Sequence, residues 1–165
     1  MSRKRIVLIG VLLGVVILGG VGAVGLWEYH ERPEFCGTCH IMDPYVESWQ
    51  ASDYGANAHA EYDVACLDCH VPTLEQQVNE FVVYVQGDYE IPLPELKYPK
   101  EDCLQCHEHG SYAELIEKSA YLEEEVGANP HNSHWGEMEC RLCHKMHNES
   151  EDYCAQCHSW GFEVP

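Results

Sequence analysis

The sequence is poor in positive charge and lacks any pattern that favours β-strands. Its 165 residues include nine Lys and Arg against 28 Asp and Glu, which gives a formal net charge of −19. A surface this acidic repels phosphate groups, so the charge balance excludes a nucleic-acid-binding protein. No segment alternates apolar and polar residues over the length of a strand, which argues against a β-rich fold. The sequence therefore favours a mostly α-helical and irregular fold.

Charge of either sign is missing from one segment near the N-terminus. Residues 6–27 form an uncharged, apolar run of about 22 residues, long enough to cross a hydrocarbon core of about 30 Å as a helix. The basic residues at 1–5 favour a cytoplasmic tail, and Trp27 and Tyr29 mark the far membrane interface. A cleaved signal peptide also begins with basic residues, but its apolar stretch is shorter. We expect an uncleaved anchor with everything from about residue 30 on the extracytoplasmic side.

No cysteine is left outside one recurring pattern. The pattern is two cysteines separated by two residues and followed at once by histidine, and it occurs five times. The five frames are Cys36, Cys39 and His40; Cys66, Cys69 and His70; Cys103, Cys106 and His107; Cys140, Cys143 and His144; and Cys154, Cys157 and His158.

Each frame is typical of covalent haem attachment. The two thiols can bond the vinyl groups of one porphyrin, and the adjacent histidine can then bind the iron. A zinc site or a thioredoxin-like redox pair also uses Cys-x-x-Cys, but neither requires histidine after the second cysteine in all five copies. About 135 residues beyond the anchor hold five frames, too little chain for an ordinary apolar interior. We therefore predict a multihaem cytochrome c with five haem c groups as its core.

Two segments between frames carry helical patterns. Apolar residues recur at helical spacing from Leu74 to Val85, with Pro92 and Pro94 expected to end that helix. A second helix is predicted from Tyr112 to Val126. The remaining sequence reads as loops.

Six histidines remain outside the frames and are candidates for the second axial ligand of each iron, since low-potential haems commonly have two histidines. The spacing of His131, His134 and His147 around the fourth frame places them beside haems in any fold. His30 and His109 are weaker candidates, and the sixth is His59. The first frame has an alternative ligand, because Met42 follows His40 by two residues and a thioether raises the potential of haem iron.

Three short segments surround the first two frames: Arg32-Pro33-Glu34-Phe35 before the first, Ile41 to Pro44 after it, and Val71-Pro72 after the second. With these segments, the N-terminal part resembles membrane-anchored quinol dehydrogenases of the NapC/NrfH type. The resemblance implies that the first haem oxidises menaquinol and is held by Met42 rather than His40. It also implies an acidic residue at the quinol side, for which Asp88 is the nearest match. A lysine of that family is missing from residues 71–96.

The C-terminal part, from Asn129 to Pro165, resembles the tetrahaem domain of flavocytochrome c fumarate reductases. In that family the irons have paired histidines. The resemblance implies His59, His131, His134 and His147 as the distal ligands of the last four frames, while their pairing stays open. We therefore divide the extracytoplasmic chain into a quinol-side region, 28–98, with two frames, and a flavocytochrome-like region, 99–165, with three.

Together these features predict an electron-transfer subunit with quinol dehydrogenase activity. Electrons would pass from the menaquinol pool through the haems to a separate FAD-containing reductase, because this chain ends where flavocytochromes continue into their flavin domain. The alternatives are an electron donor to a nitrite or nitrate reductase, a terminal haem reductase, and a polymerising cytochrome wire. A homo-oligomer is compatible with the sequence.

Overall fold

The computed structural model describes residues 3–107 and 110–165, and in these ranges the chain contains helices and loops without a β-strand. This agrees with the predicted fold class. The α-helices are α1 (Arg3–His30), α2 (Pro33–Cys36), α3 (Asp43–Gln50), α4 (Gly55–Ala60), α5 (Cys66–Cys69), α6 (Leu74–Gln86), α7 (Lys100–Leu104), α8 (Tyr112–Lys118) and α9 (Tyr121–Val126). Single 3-10 turns cover His40–Met42, Cys140–Leu142 and Tyr153–Gln156.

Helix α1 is the predicted membrane anchor. It has 28 residues, a mean hydropathy of 2.8 over its most apolar window, and no buried residue. Apolar side chains surround it on all sides, as expected of a helix whose environment is hydrocarbon. The helix extends beyond the predicted span of 6–27 at both ends, to Arg3 and His30.

Helix α6 confirms the predicted periodicity but ends earlier than expected. Thr73 caps its start, since the Thr73 Oγ1 accepts a hydrogen bond from the Gln76 amide, and the Gln76 side chain accepts from the Thr73 amide. Gly87 ends it with φ of 69°, a left-handed conformation that glycine adopts without a steric penalty. The helix therefore stops well before Pro92, which the sequence had suggested as its terminator.

The predicted helix from Tyr112 to Val126 is wrong as a single element, because it breaks into α8 and α9. The Ser119 hydroxyl lies 2.6 Å from the Leu115 carbonyl oxygen and 3.0 Å from the side-chain oxygen of Asn129. Serine that bonds the preceding turn competes with the helical ladder and favours a bend there. Gly127 follows Val126 with φ of 89° and ends α9 as its position suggested.

The described residues build almost no conventional core. Ala56, Leu104 and Tyr112 are their buried apolar residues, and none of the large side chains is completely enclosed. A domain of this size normally buries a continuous apolar cluster. The arrangement is therefore consistent with an interior supplied by prosthetic groups.

Candidate haem-binding sites

The last four frames share one backbone hydrogen bond. In each, the amide of the histidine donates a hydrogen bond to the carbonyl of the first cysteine, at 2.8 to 3.0 Å. This helical turn keeps both cysteines and the histidine of a frame on one short segment. None of the ten cysteines is engaged in a disulfide.

The imidazoles of these four frames each face a second histidine. An iron held between two imidazole nitrogens, each about 2 Å away, separates the ring centroids by about 6 Å. The observed centroid separations are 6.2 Å for His70 and His147, 5.8 Å for His59 and His107, 6.4 Å for His131 and His144, and 6.1 Å for His134 and His158. The spacing fits a haem iron between the rings of every pair.

The angle between the two ring planes differs from pair to pair. It is 2° for His131 and His144, and 31° for His70 and His147. It rises to 64° for His134 and His158 and to 76° for His59 and His107. The four pairs are therefore distinguishable by any measurement that depends on the relative orientation of axial ligands.

Five of these eight histidines use Nδ1 for a hydrogen bond within the protein. The partners are the carbonyl oxygens of Gly55 for His59 and Pro165 for His144, the hydroxyls of Ser48 for His147 and Ser119 for His131, and the phenol of Tyr98 for His70. A hydrogen bond at Nδ1 fixes the ring orientation and leaves Nε2 for a metal. The polar groups therefore suit imidazoles that bind iron through Nε2.

Ser48 shows how such a partner is itself held. Its hydroxyl lies 2.8 Å from the Tyr45 carbonyl and 2.7 Å from His147 Nδ1, so it can donate to the former and accept from the latter. Burial lowers the pKa of His147, and likewise that of His70, which keeps both imidazoles in the neutral form that metal binding requires.

The first frame has a different arrangement. The His40 side chain is 92% exposed, and its Nδ1 lies 3.4 Å from the Asp43 carboxylate, while Met42 is half-buried at the end of the same turn. Among the described residues, no second histidine ring lies opposite His40. The site thus leaves its frame histidine exposed and its methionine partly buried.

Helix α6 approaches the first frame through Tyr84. The neighbouring Cys39 side chain raises the pKa of Tyr84. Tyr89 stacks on Tyr84 with 6.0 Å between ring centroids, and the intervening Asp88 is exposed. The structure therefore brings the segment that carries Asp88 close to the first frame.

Cysteines of successive frames lie near one another in the order of the sequence. A hydrogen bond from Cys66 lowers the pKa of Cys36 to about 7, and the Cys103 thiol does the same for Cys140. Burial raises the pKa of Cys69, and the nearby charges of Cys103 and Cys106 add to that effect. Burial likewise raises the pKa of Cys154, with Cys143 contributing. Adjacent frames are thereby linked from the first to the fifth.

The two weaker histidine candidates are outside these pairs. The His30 ring lies between Trp27 and Phe35, at centroid separations of 5.9 and 4.9 Å, and its buried Nδ1 has no hydrogen-bond partner. His109 lies outside the described residues. Over residues 3–107 and 110–165, no three His, Cys, Asp or Glu side chains gather as a zinc site would require.

Sequence reasoning did not identify the residues that orient the histidines, among them Ser48, Tyr98 and Ser119. Each is remote in sequence from the imidazole it contacts, by 99, 28 and 12 residues. Serine and tyrosine carry no motif for this role, so the sequence offered no signal for them.

Comparison with known proteins agrees with this architecture. The NapC/NirT cytochrome c family, in its N-terminal region, matches residues 1–93, and the cytochrome c3 family matches residues 58–159. Cytochrome c-type protein Cgr1 of Eggerthella lenta is 35% identical over 99% of this chain and 86% of its own length. The NrfH subunit of cytochrome c nitrite reductase from Nitratidesulfovibrio vulgaris is 30% identical over 95% of this chain and 82% of its own.

A shorter match covers part of the chain. The acrylate reductase cytochrome subunit of Shewanella woodyi is 39% identical over 40% of this chain and 56% of its own length. No solved structure matches the chain significantly. With an apolar anchor, recurring haem frames and matches along its length, the chain belongs to the NapC/NirT family, the membrane-anchored multihaem c-type cytochromes of quinol-linked electron transfer.

Proposed function

We propose that the protein carries five covalently bound haems and conducts electrons from menaquinol to a separate extracytoplasmic reductase. The observation that carries the proposal is the set of four facing histidine pairs at 5.8 to 6.4 Å. Each pair contains one frame histidine, so the distal ligands are His147 for the second frame, His59 for the third, His131 for the fourth and His134 for the fifth. Haem iron, when bound, supplies reversible one-electron chemistry.

The first frame is the proposed site of quinol oxidation. Met42 is half-buried and His40 is exposed, which favours Met42 as the ligand on the protein side. The frame begins six residues after α1 ends at His30, so it sits near the membrane surface, where a lipid-soluble donor is available. We assign to Asp88, on the segment after α6, the role of accepting a proton released from the quinol hydroxyl, and the contacts of the neighbouring Tyr84 and Tyr89 support this assignment.

Neighbouring frames support an order for the path. Cysteines of the first and second frames, and of the third and fourth, shift each other's pKa through hydrogen bonds, and cysteines of the second and third, and of the fourth and fifth, do so through charge. This sequence favours conduction from residues 36–42 toward residues 154–158. The protein's contribution is to hold neighbouring groups together and to fix their axial ligands.

The N-terminal orientation follows from charge. Three basic residues at the start of α1 favour the cytoplasmic side, which leaves all five frames outside. Cysteines outside the cytoplasm meet an oxidising environment and are normally disulfide-bonded or otherwise occupied. Covalent attachment to haem would occupy all ten cysteines.

A flavin-containing reductase is our first choice for the electron acceptor. Part of the chain is 43% identical over 58 residues to a protein described as the probable fumarate reductase Ifc3 of Shewanella frigidimarina, and the acrylate reductase cytochrome subunit matches as well. The second candidate is a nitrite reductase, because the match to the NrfH subunit covers nearly the whole chain.

Two measurements test the proposal. Intact mass of the purified chain should exceed the polypeptide mass by five haem groups, and free thiols or zinc would refute it. The protein in detergent should be reduced by menadiol and then reoxidised by fumarate or acrylate only when the partner flavoprotein is added. Reoxidation by nitrite with a nitrite reductase instead would favour the second candidate, and reoxidation by a substrate without any partner would favour a terminal haem reductase.

A further inference from the structure

The proposed ligand pairs exchange histidines between the two regions of the chain. His59 belongs to region 28–98 but faces His107, whereas His147 belongs to region 99–165 but faces His70. The second and third irons are therefore each completed by the other region. The remaining two pairs lie wholly within residues 131–158 and involve no such exchange.

A short backbone contact stands between the two exchanged histidines. The Gly55 amide donates to the Lys145 carbonyl at 3.3 Å, and the Ala56 amide donates to the Met146 carbonyl at 2.8 Å. We call these four residues the junction. Ala56 is buried, so water does not compete for the second bond.

Both histidines are attached directly to the junction. His59 lies one helical turn after Gly55, and its Nδ1 lies 2.6 Å from the Gly55 carbonyl oxygen. His147 follows Met146 in the chain, and its ring is held by Ser48 on one side and by the edge of Tyr45, 5.4 Å away, on another. A displacement at the junction is therefore transmitted to both imidazoles.

The junction has no room for a side chain at residue 55. A β-carbon built on Gly55 would lie 2.7 Å from Met146 Cε and 2.9 Å from the Lys145 carbonyl oxygen. Real β-carbons do not approach other atoms this closely, so helix α4 and the loop at 145–147 would have to separate. Close approach of two backbones, and not an unusual backbone angle, requires glycine here.

We propose that Gly55 is a positioning residue that sets the axial ligation of two irons at once, those of the second and third frames. The proposal rests on the histidine pairing given under the proposed function. It goes beyond that pairing because it makes one residue responsible for the axial ligation of two haems, one in each region.

Gly55→Ala in the full-length, haem-loaded protein tests the proposal. Carbon monoxide binds reduced haem iron that has lost an axial ligand, so its stoichiometry counts affected sites. We expect Gly55→Ala to bind two more equivalents of carbon monoxide per chain than the wild type. The paramagnetic resonance signals of the His70–His147 and His59–His107 pairs should change, while those of the two pairs within residues 131–158 persist. Ala58→Ser, which adds one atom on the exposed side of α4, is the matched control and should equal the wild type.

A second variant shows which contact is responsible. Gly55→Ala combined with Met146→Ala removes the clash with Met146 but keeps the one with the Lys145 carbonyl oxygen, so it should still bind extra carbon monoxide. The proposal is overturned if Gly55→Ala binds no extra carbon monoxide, if it binds four, or if the double variant binds no more than the wild type. Loss of the proposed function itself would look different, since wild-type protein would then lack five haems by mass.

Discussion

The first frame differs from the other four because, among the described residues, its histidine does not face a second imidazole. The last four frame histidines each face a second imidazole across a gap of about 6 Å, whereas His40 turns into solvent and pairs with Asp43. Symmetric nitrogen ligation suits centres that only receive and pass electrons, because both oxidation states keep the same ligands. A centre with a thioether ligand and an approachable side suits an encounter with a substrate. Under the proposed function, the contrast separates the site of electron uptake from the sites of electron conduction.

Met42→Leu should have the largest effect on this contrast. Removing the thioether takes away the proposed protein ligand of the first iron, and we expect menadiol-dependent reduction to fall below about 1% of the wild-type rate. The four imidazole-pair resonance signals should remain. Stopped-flow absorbance measures the rate, and Met138→Leu is the matched control in the C-terminal region. An unchanged rate would return His40 to the role of ligand.

Asp88→Asn should slow the same reaction without altering any iron. The substitution keeps the shape of the side chain but removes its ability to accept a proton, so we expect about 1% of the wild-type rate. Chemical reduction by dithionite should be unaffected, and Glu90→Gln should behave as the wild type. Equal rates for Asp88→Asn and Glu90→Gln would remove Asp88 from the quinol side.

His131→Ala should change one of the four conducting centres. The rings of His131 and His144 are nearly parallel, at 2°, an orientation that gives a rhombic low-spin resonance spectrum. We expect that signal to disappear and one equivalent of carbon monoxide to bind. His59→Ala should instead remove the signal of the pair at 76°. The same signal lost in both variants would refute the pairing.

Ser48→Ala should have the smallest effect. It deletes the hydroxyl that orients His147 but leaves the imidazole, and a hydrogen bond is worth about 0.5–1.5 kcal/mol, or about 20–60 mV for one electron. We expect the reduction potential of one centre to shift within that range. A redox titration monitored by paramagnetic resonance measures the shift. The control is Ser52→Ala, which removes the hydrogen bond from the Ser52 hydroxyl to the Ser48 carbonyl oxygen but leaves the Ser48 hydroxyl in place. Shifts in several centres would contradict a local role for Ser48.

The sequence predicted the parts of the molecule that depend on residues close together in the chain. The five frames, the anchor and helix α6 each depend on residues within a few turns of one another, and the structure contains each of them. Ser119 shows the limit of such patterns. Its bond to Asn129 depends on a loop beyond the helix, so periodicity alone predicted a continuous helix where α8 and α9 are separate.

Local patterns could not predict which histidines pair, because the paired residues are distant in the sequence. His70 and His147 are far apart in sequence, and so are His59 and His107, while the contacts between them depend on how Gly55 packs against Lys145 and Met146. Resemblance to known families implied which histidines are candidate ligands. Only the tertiary contacts indicate which faces which.

The cysteine contacts between frames have a consequence for how the protein is assembled. The Cys66 thiol lowers the pKa of Cys36, and the Cys103 thiol lowers that of Cys140, so the folded chain brings thiols of different frames together. In an oxidising compartment such neighbours can form disulfides, and each disulfide would block two attachment sites. Attachment of the porphyrins before the chain folds would avoid such disulfides, so the proximity of thiols from different frames favours that order of assembly.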